Sequence, residues 1–190
     1  MLMLPNEFQP GLLPVAKDGE SIQWFVFSGG NLLVRPTPEG VELPAAGVWP
    51  FAKLPTARRL YLGLWHGQPC HAAEVDALPP PGMKFESLRA LWSRLDESLL
   101  GVASLAAQLI EWDRTHQFCG CCGAPTQRRA DERARHCPAC DSMAYPRLAP
   151  VVMVRIVRDG EILLARAPRF APGVYSVLAC LLYTSDAADE

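Results

Sequence analysis

Two short motifs, "CGCC" at 119–122 and "CPAC" at 137–140, constrain this chain more than anything else in its 190 residues. Each places two thiols at positions i and i+3, where a tight turn brings both sulfurs to one point. A zinc ion held tetrahedrally, at about 2.3 Å from each sulfur, needs two such halves. Fourteen residues separate the pairs, enough for a hairpin to return the second to the first. Cys119, Cys122, Cys137 and Cys140 are therefore predicted to hold one structural zinc ion. Gly120 and Gly123 supply the permissive backbone that such turns need. Cys121, next to a ligand, is expected to point away from the metal. His116 and His136 flank the module, but intact cysteine pairs make them unnecessary. A redox dithiol would sit at the start of a helix after a strand, whereas both pairs here lie among Gly and Pro. A closed four-thiolate site keeps no open position, so this zinc would hold the fold and carry out no hydrolysis.

The rest of the composition excludes more than it assigns. A formal net charge of −2 gives the whole molecule no long-range attraction to nucleic acid or to an acidic membrane. The opening "MLMLPNEFQPGLLPVAKDGE" lacks a basic flank followed by an apolar run, and no stretch approaches the roughly 20 apolar residues of a bilayer span. A cytoplasmic address with no membrane partner is expected. In a reducing compartment the seven cysteines point to metal rather than to cross-links, and Cys70, alone, is expected to be buried.

Along the chain, "SIQWFVFSGGNLLV" predicts a hairpin around Ser-Gly-Gly-Asn, and "RRLYLGLWHGQPCHAAEV" a second one around His66 and Gly67. A proline-rich connection, Pro36 to Pro55, lies between them. The prolines at 79–81 are expected to close this β-rich unit, since missing amide donors cannot continue a sheet. From Lys84 to His116 apolar residues recur every three or four positions, predicting two amphipathic helices with a break near Gly101. Their apolar stripe would serve equally as core or as a dimer face. After the cysteine module, "LAPVVMVRIV" reads as a strand covered on both faces, "RDGE" as a turn, "ILLARA" as its partner and "VYSVLA" as the start of a third. Between the cysteine pairs, Arg128, Arg129, Arg133 and Arg135 alternate with Asp131 and Glu132. Solvated hairpin charges are the favoured reading, and a phosphate-binding patch or neutralisation of the metal's thiolates the sharper ones.

The ordered series "HQFCGCCG", "CPAC", "AYPRLAPVVMV", "ILLARA" and "GVYSVLA", following a small β-rich domain with helices, resembles the NADH pyrophosphatases of the Nudix superfamily, also described as hydrolases of NAD-capped RNA. The likeness runs from about Gln23 to Ala179. It implies an α+β fold: a β-rich N-terminal domain with helices at 1–117, a four-cysteine zinc ribbon at 118–146, and at 147–179 the first strands of an incomplete Nudix α/β/α sandwich. It also implies a homodimer that cleaves the diphosphate of NAD(H), or of NAD-capped RNA, with Mg2+ or Mn2+, and that does not use DNA. Such ions neutralise the diphosphate and lower the pKa of an attacking water, which requires carboxylates to hold them.

By the same likeness Tyr145, Glu132, Arg89 and Arg35 correspond to substrate contacts. The backbone carbonyl of Ala179 corresponds to a ligand of the catalytic cation. The glutamate-rich Nudix box itself is missing from the 190 residues. Where it should begin, 180–190 reads "CLLYTSDAADE", which resembles the translation of a sequencing adapter, so these residues are set aside as an artefactual tail. The chain is expected to be an inactive fragment of an active parent. The alternative is a zinc-ribbon module that binds nucleic acid or protein, for which the strands after Tyr145 would have no purpose.

Overall fold

The computed structural model describes residues 4–13, 21–45, 58–147 and 151–181. Contacts divide the chain into two units, 1–146 and 147–190. Much of the proline-rich connection, the Leu-Ala-Pro at 148–150 and the tail beyond Leu181 lie outside the described residues.

The first unit is built on a seven-stranded sheet. Its strands are β1 (Phe8–Pro10), β2 (Gln23–Ser28), β3 (Asn31–Thr37), β4 (Gly40–Glu42), β5 (Arg58–Trp65), β6 (Gln68–Glu74) and β7 (Lys84–Glu86). The order is β1-β5-β6-β2-β3-β4, with β7 also on β3, and every pairing is antiparallel except the parallel contact of β2 with β6. Both predicted hairpins form. Gly29 and Gly30 (φ 55° and 78°) turn β2 into β3, and His66 and Gly67 (φ 49° and 77°) turn β5 into β6. Positive φ at both central residues gives the turn whose twist matches that of paired strands.

Alternation along β2 and β3 puts side chains on two faces, and both are covered. Phe25, Phe27, Leu32 and Val34 pack with Leu62, Cys70 and the helical Val102, Ala106 and Leu109. Trp24, Val26, Leu33, Ala73 and Val75 form a second, smaller cluster on the other side. Cys70 is fully buried, as expected, and burial pushes its thiol up to about 12.

Helix α1 (Leu88–Leu91) is a single turn, capped by the Ser87 hydroxyl, and α2 (Glu97–Thr115) is the long helix that covers the main core. The helical region ends at Thr115 as expected but differs at its start and at its break. Lys84–Glu86 is a strand, so the chain re-enters the sheet after the prolines at 79–81 instead of leaving it. The helix break falls before Asp96, not at Gly101. The Asp96 carboxylate accepts the Leu99 amide at 3.1 Å and nucleates α2, while Gly101 is buried within it. One interior glycine costs about 1 kcal/mol, which the packing of a long amphipathic face outweighs. Among the described residues no helix is long and apolar enough to cross a membrane.

The zinc-motif segment adds a small three-stranded sheet, β8 (Gln127–Arg128), β9 (Arg135–His136) and β10 (Met143–Ala144), in the order β10-β9-β8. In the second unit β11 (Val151–Val154) pairs antiparallel with β14 (Leu178–Leu181), and β12 (Val157–Arg158) with β13 (Glu161–Ile162) across Asp159 and Gly160, again both at positive φ. The expected strands form only in part: the apolar run divides into β11 and β12, only Ile162 of "ILLARA" lies in β13, and "VYSVLA" enters β14 at Leu178, so β11 pairs with β14 and not with "ILLARA". Nor is β11 covered: Val151 is 56 % and Met153 65 % exposed. A two-stranded ladder leaves both of its faces open. Cys180 and Leu181, set aside above with the tail, continue β14 opposite Val152 and Val151.

Candidate metal centre and adjoining pocket

The two cysteine turns repeat one geometry. In the first, the Gly123 amide donates to the Cys119 carbonyl (2.9 Å) and the Cys119 amide to the Ala124 carbonyl (2.8 Å). In the second, the Asp141 amide donates to the Cys137 carbonyl and the Cys137 amide to the Ser142 carbonyl, both at 2.9 Å. Gly123 (φ 76°) and Asp141 (φ 60°) take the same left-handed position, so glycine serves one turn and aspartate, which tolerates this conformation, the other. Gly120 adopts no positive φ.

The β8–β9 hairpin brings the turns together. The sulfurs of Cys119 and Cys140, and of Cys122 and Cys137, lie 3.5 Å apart, and all four fall within 4.8 Å of one another. Tetrahedral coordination with bonds of about 2.3 Å sets sulfurs about 3.8 Å apart, so the donor set fits zinc. The Cys121 amide donates to the Cys119 sulfur at 3.3 Å. Backbone amides of Cys122 and Cys121 bring the Cys119 thiol down to about 6, favouring the thiolate that binds metal. Cys121 turns its own sulfur out toward the Ser142 hydroxyl. The flanking histidines are engaged elsewhere, His116 with the Trp112 carbonyl (2.8 Å) and His136 with the Asp141 carboxylate (2.7 Å).

The arginines between the cysteine pairs are not a solvated run. Asp113, fully buried near the end of α2, accepts Arg128 Nε and Arg135 Nη1, each at 2.6 Å, and Arg128 Nη2 at 2.5 Å. Burial alone would raise the Asp113 carboxyl, but the hydrogen bonds and charge of Arg128 and Arg135 outweigh it and hold the group below the ordinary aspartate value. Arg135, itself buried, completes its fork on the Thr126 hydroxyl and carbonyl. Arg128 also donates to the Arg59 carbonyl, and Arg133 to the carbonyls of Tyr61 (3.2 Å) and Gly11 (2.6 Å). Three of the four arginines thus fasten the zinc-motif segment to α2 and the large sheet. Arg129 alone stays local, on Asp131 and Glu132. Alternating charge resembles a solvated face in sequence because partners 15 and 22 residues away are invisible locally. The one available signal was Asp113, a charged residue on the apolar stripe of an amphipathic helix.

Of the substrate contacts suggested by family likeness, two meet: the Tyr145 hydroxyl donates to Glu132 at 3.1 Å, on an exposed face. That bond, followed by burial and the Glu132 charge, raises the Tyr145 phenol. Arg89 lies elsewhere, exposed on α1 beside Trp92, and Arg35 is exposed on β3 opposite Glu42. Ala179 sits in β14 opposite Met153. Among the described residues the four cysteines are the sole cluster of three or more His, Cys, Asp or Glu side chains able to hold a metal. A hard cation such as Mg2+ or Mn2+ needs oxygen ligands, so these residues do not fit a catalytic cation.

Between the large sheet and the arginine hairpin opens a cavity of about 490 Å3. Trp24, Tyr61 and His71 form an aromatic wall, with ring centroids 5.0 Å apart for Trp24 and His71 and 5.3 Å for Tyr61 and His71. Arg59, Arg133 and Glu132 also line it. Burial and then the charge of Arg59 lower the His71 imidazole, so it is neutral at pH 7.

Comparison with known proteins agrees with these features. Residues 21–112 match the model of the NADH pyrophosphatase-like rudimentary NUDIX domain, and residues 114–145 that of the NADH pyrophosphatase zinc ribbon domain. Among similar proteins named NAD-capped RNA hydrolase NudC, one from Stutzerimonas stutzeri is 40 % identical over 139 residues, 73 % of this chain and 50 % of the relative. One from Pseudomonas putida is 38 % identical over 168 residues, 85 % of this chain and 61 % of the relative. One from Deinococcus radiodurans is 35 % identical over 187 residues, 96 % of this chain and 63 % of the relative. The chain thus spans between half and just under two thirds of the length of these curated relatives. With a zinc-fitting four-thiolate cluster inside the ribbon match and a two-faced sheet inside the other, the chain belongs to the NADH pyrophosphatase family.

Proposed function

We propose that this chain is the N-terminal and zinc-ribbon portion of a Nudix hydrolase that cleaves the diphosphate of NAD(H), or of an NAD cap on RNA, to nicotinamide mononucleotide and AMP. The observation that carries the reading is the Tyr145–Glu132 hydrogen bond. It joins, on one exposed face of the zinc-bearing hairpin, the two residues that family likeness assigns to substrate. The names of the relatives support the substrate class. In this reading 1–117 is the N-terminal domain, 118–146 the ribbon, 147–179 the start of a Nudix domain and 180–190 an unrelated tail. The active protein is a cytoplasmic homodimer, and its Mg2+ or Mn2+ is held by Nudix-box carboxylates together with the Ala179 carbonyl.

The ribbon's zinc supplies structure and no reaction step, because four thiolates close its coordination. The work left to the 190 residues is to hold and orient the substrate. Without the box they hydrolyse nothing. A free-standing nucleic-acid module would need its arginines turned outward, yet Arg128, Arg133 and Arg135 are directed onto the N-terminal sheet and α2.

The test joins residues 1–179 to the Nudix-box segment of the Stutzerimonas stutzeri relative and measures NADH hydrolysis with Mg2+, beside the unaltered chain. Turnover by the zinc-loaded chimera, reduced at least tenfold by Glu132→Gln, and none by the 190-residue chain, is expected. A folded, zinc-loaded chimera without turnover, or an active 190-residue chain, would refute the proposal.

A further inference from the structure

Burying a guanidinium is costly unless a carboxylate or another anion compensates it. Arg133 is partly buried, and among the described residues its hydrogen bonds go to two neutral backbone carbonyls, of Tyr61 and Gly11. Among the described residues no carboxylate forms an ion pair with it, whereas Arg128, Arg129 and Arg135 each have one. Those two carbonyls engage Nη1 and Nη2 singly, so a guanidinium with five N–H groups retains donors for a further acceptor. Arg133 lines the cavity between the sheet and the hairpin together with Trp24, Tyr61 and His71. Arg59 adds positive charge there. The lining carboxylate, Glu132, is already committed to Arg129 and to the Tyr145 hydroxyl. Trp112 also lines the cavity, and its buried Nε1 has no hydrogen-bond partner among the described residues.

Arg133, without an ion pair among the described residues, lies in one cavity with aromatic rings inclined at 37° (Trp24–His71) and 63° (Tyr61–His71), a setting that favours an anion carrying a planar ring. Inorganic anions satisfy only the first feature, and uncharged aromatics only the second. The size agrees, since cavities of roughly 300–1,000 Å3 enclose small organic ligands. We propose that this cavity is a binding pocket for a nucleoside phosphate, its phosphate on Arg133 and its base against His71 and Tyr61. Glu132 lines this pocket and also accepts the Tyr145 hydroxyl, so the pocket adjoins the Tyr145 face; the inference rests on Arg133 and the aromatic residues and does not require the diphosphatase reading. A free mononucleotide and the terminal nucleotide of an RNA strand present the same chemistry.

The experiment titrates the zinc-loaded 190-residue chain with AMP, following tryptophan fluorescence and the heat of binding. Adenosine, inorganic phosphate and a 5′-phosphorylated tetra-adenylate are titrated in parallel. Saturable AMP binding is expected, at least tenfold tighter than adenosine or phosphate alone, because each of these lacks one of the two contacts. Tetra-adenylate binding more tightly than AMP identifies an RNA terminus as the ligand, and weaker binding identifies a free nucleotide. Arg133→Lys keeps charge but loses the planar fork, and is expected to weaken AMP about tenfold. His71→Leu keeps volume, removes the stacking face and should weaken AMP several-fold. Zinc content and thermal midpoint are measured for each variant, and if Arg133→Lys loses its fold, His71→Leu decides. Absence of saturable AMP binding, or an affinity unchanged in a folded variant, would overturn the proposal.

Discussion

Replacing Asp113 by Asn removes one charge at the place where α2 meets the zinc hairpin. Asn has nearly the same volume and keeps one acceptor oxygen, so packing is preserved and the electrostatic loss is isolated. The Asp113 and Arg135 side chains are 1 % and 7 % exposed, so this pair is fully desolvated. The Arg128 side chain is 40 % exposed, and Arg58, at 3.7 Å, is 31 % exposed, so solvent screens both of those contacts. Removing one partner of a buried pair costs about 3–5 kcal/mol, and the retained acceptor puts Asp113→Asn near the lower end, ~3 kcal/mol. With a urea dependence of about 1–3 kcal/mol per M, the unfolding midpoint of the zinc-loaded chain should fall by roughly 1–3 M. Arg135→Met should be costly alone but add little in the Asp113→Asn background, since the two residues share one interaction. The carboxyl of Asp113 is held below its unfolded value of about 3.9, so its contribution is present above that pH and disappears as pH falls through the folded value. The stability gap between wild type and Asp113→Asn should therefore be constant near neutrality and close below about pH 4. A midpoint shift under about 0.5 M with unchanged urea dependence, or strict additivity of the two substitutions, would refute this account.

Cys137→Ser should abolish stoichiometric zinc binding, whereas Cys121→Ser should retain one zinc per chain; metal analysis after gel filtration distinguishes them. Removing zinc with a strong chelator should lower the thermal midpoint and speed amide exchange across 118–146, because metal binding contributes about 10–16 kcal/mol in small zinc modules. An unchanged melting curve after verified metal removal contradicts that. Gly63→Ala should destabilise the sheet by at least about 3 kcal/mol. Gly63 adopts φ 144° at the irregularity in β5, and an added Cβ would meet the Gln9 carbonyl oxygen at 2.0 Å. Chemical denaturation reads the loss, and wild-type stability in this variant would show that β1 does not dock as described.

What the sequence determined alone is local. Two thiols at i and i+3 meet because a single turn joins them, and Gly29-Gly30 and His66-Gly67 direct hairpins because only a few residues tolerate positive φ at both central positions. The four cysteines were legible for this reason, and so was the family. Tertiary structure decided whatever depends on partners distant in sequence: the parallel pairing of β2 with β6, the return of Lys84–Glu86 to β3, and the burial of Asp113 between Arg128 and Arg135. An arginine among acids reads as solvated until the chain folds around it, since a charge's energy depends on the dielectric and counter-charges brought to it by packing. For the same reason Arg133 and the aromatic Trp24, Tyr61 and His71 came to line one cavity only when the hairpin packed on the sheet.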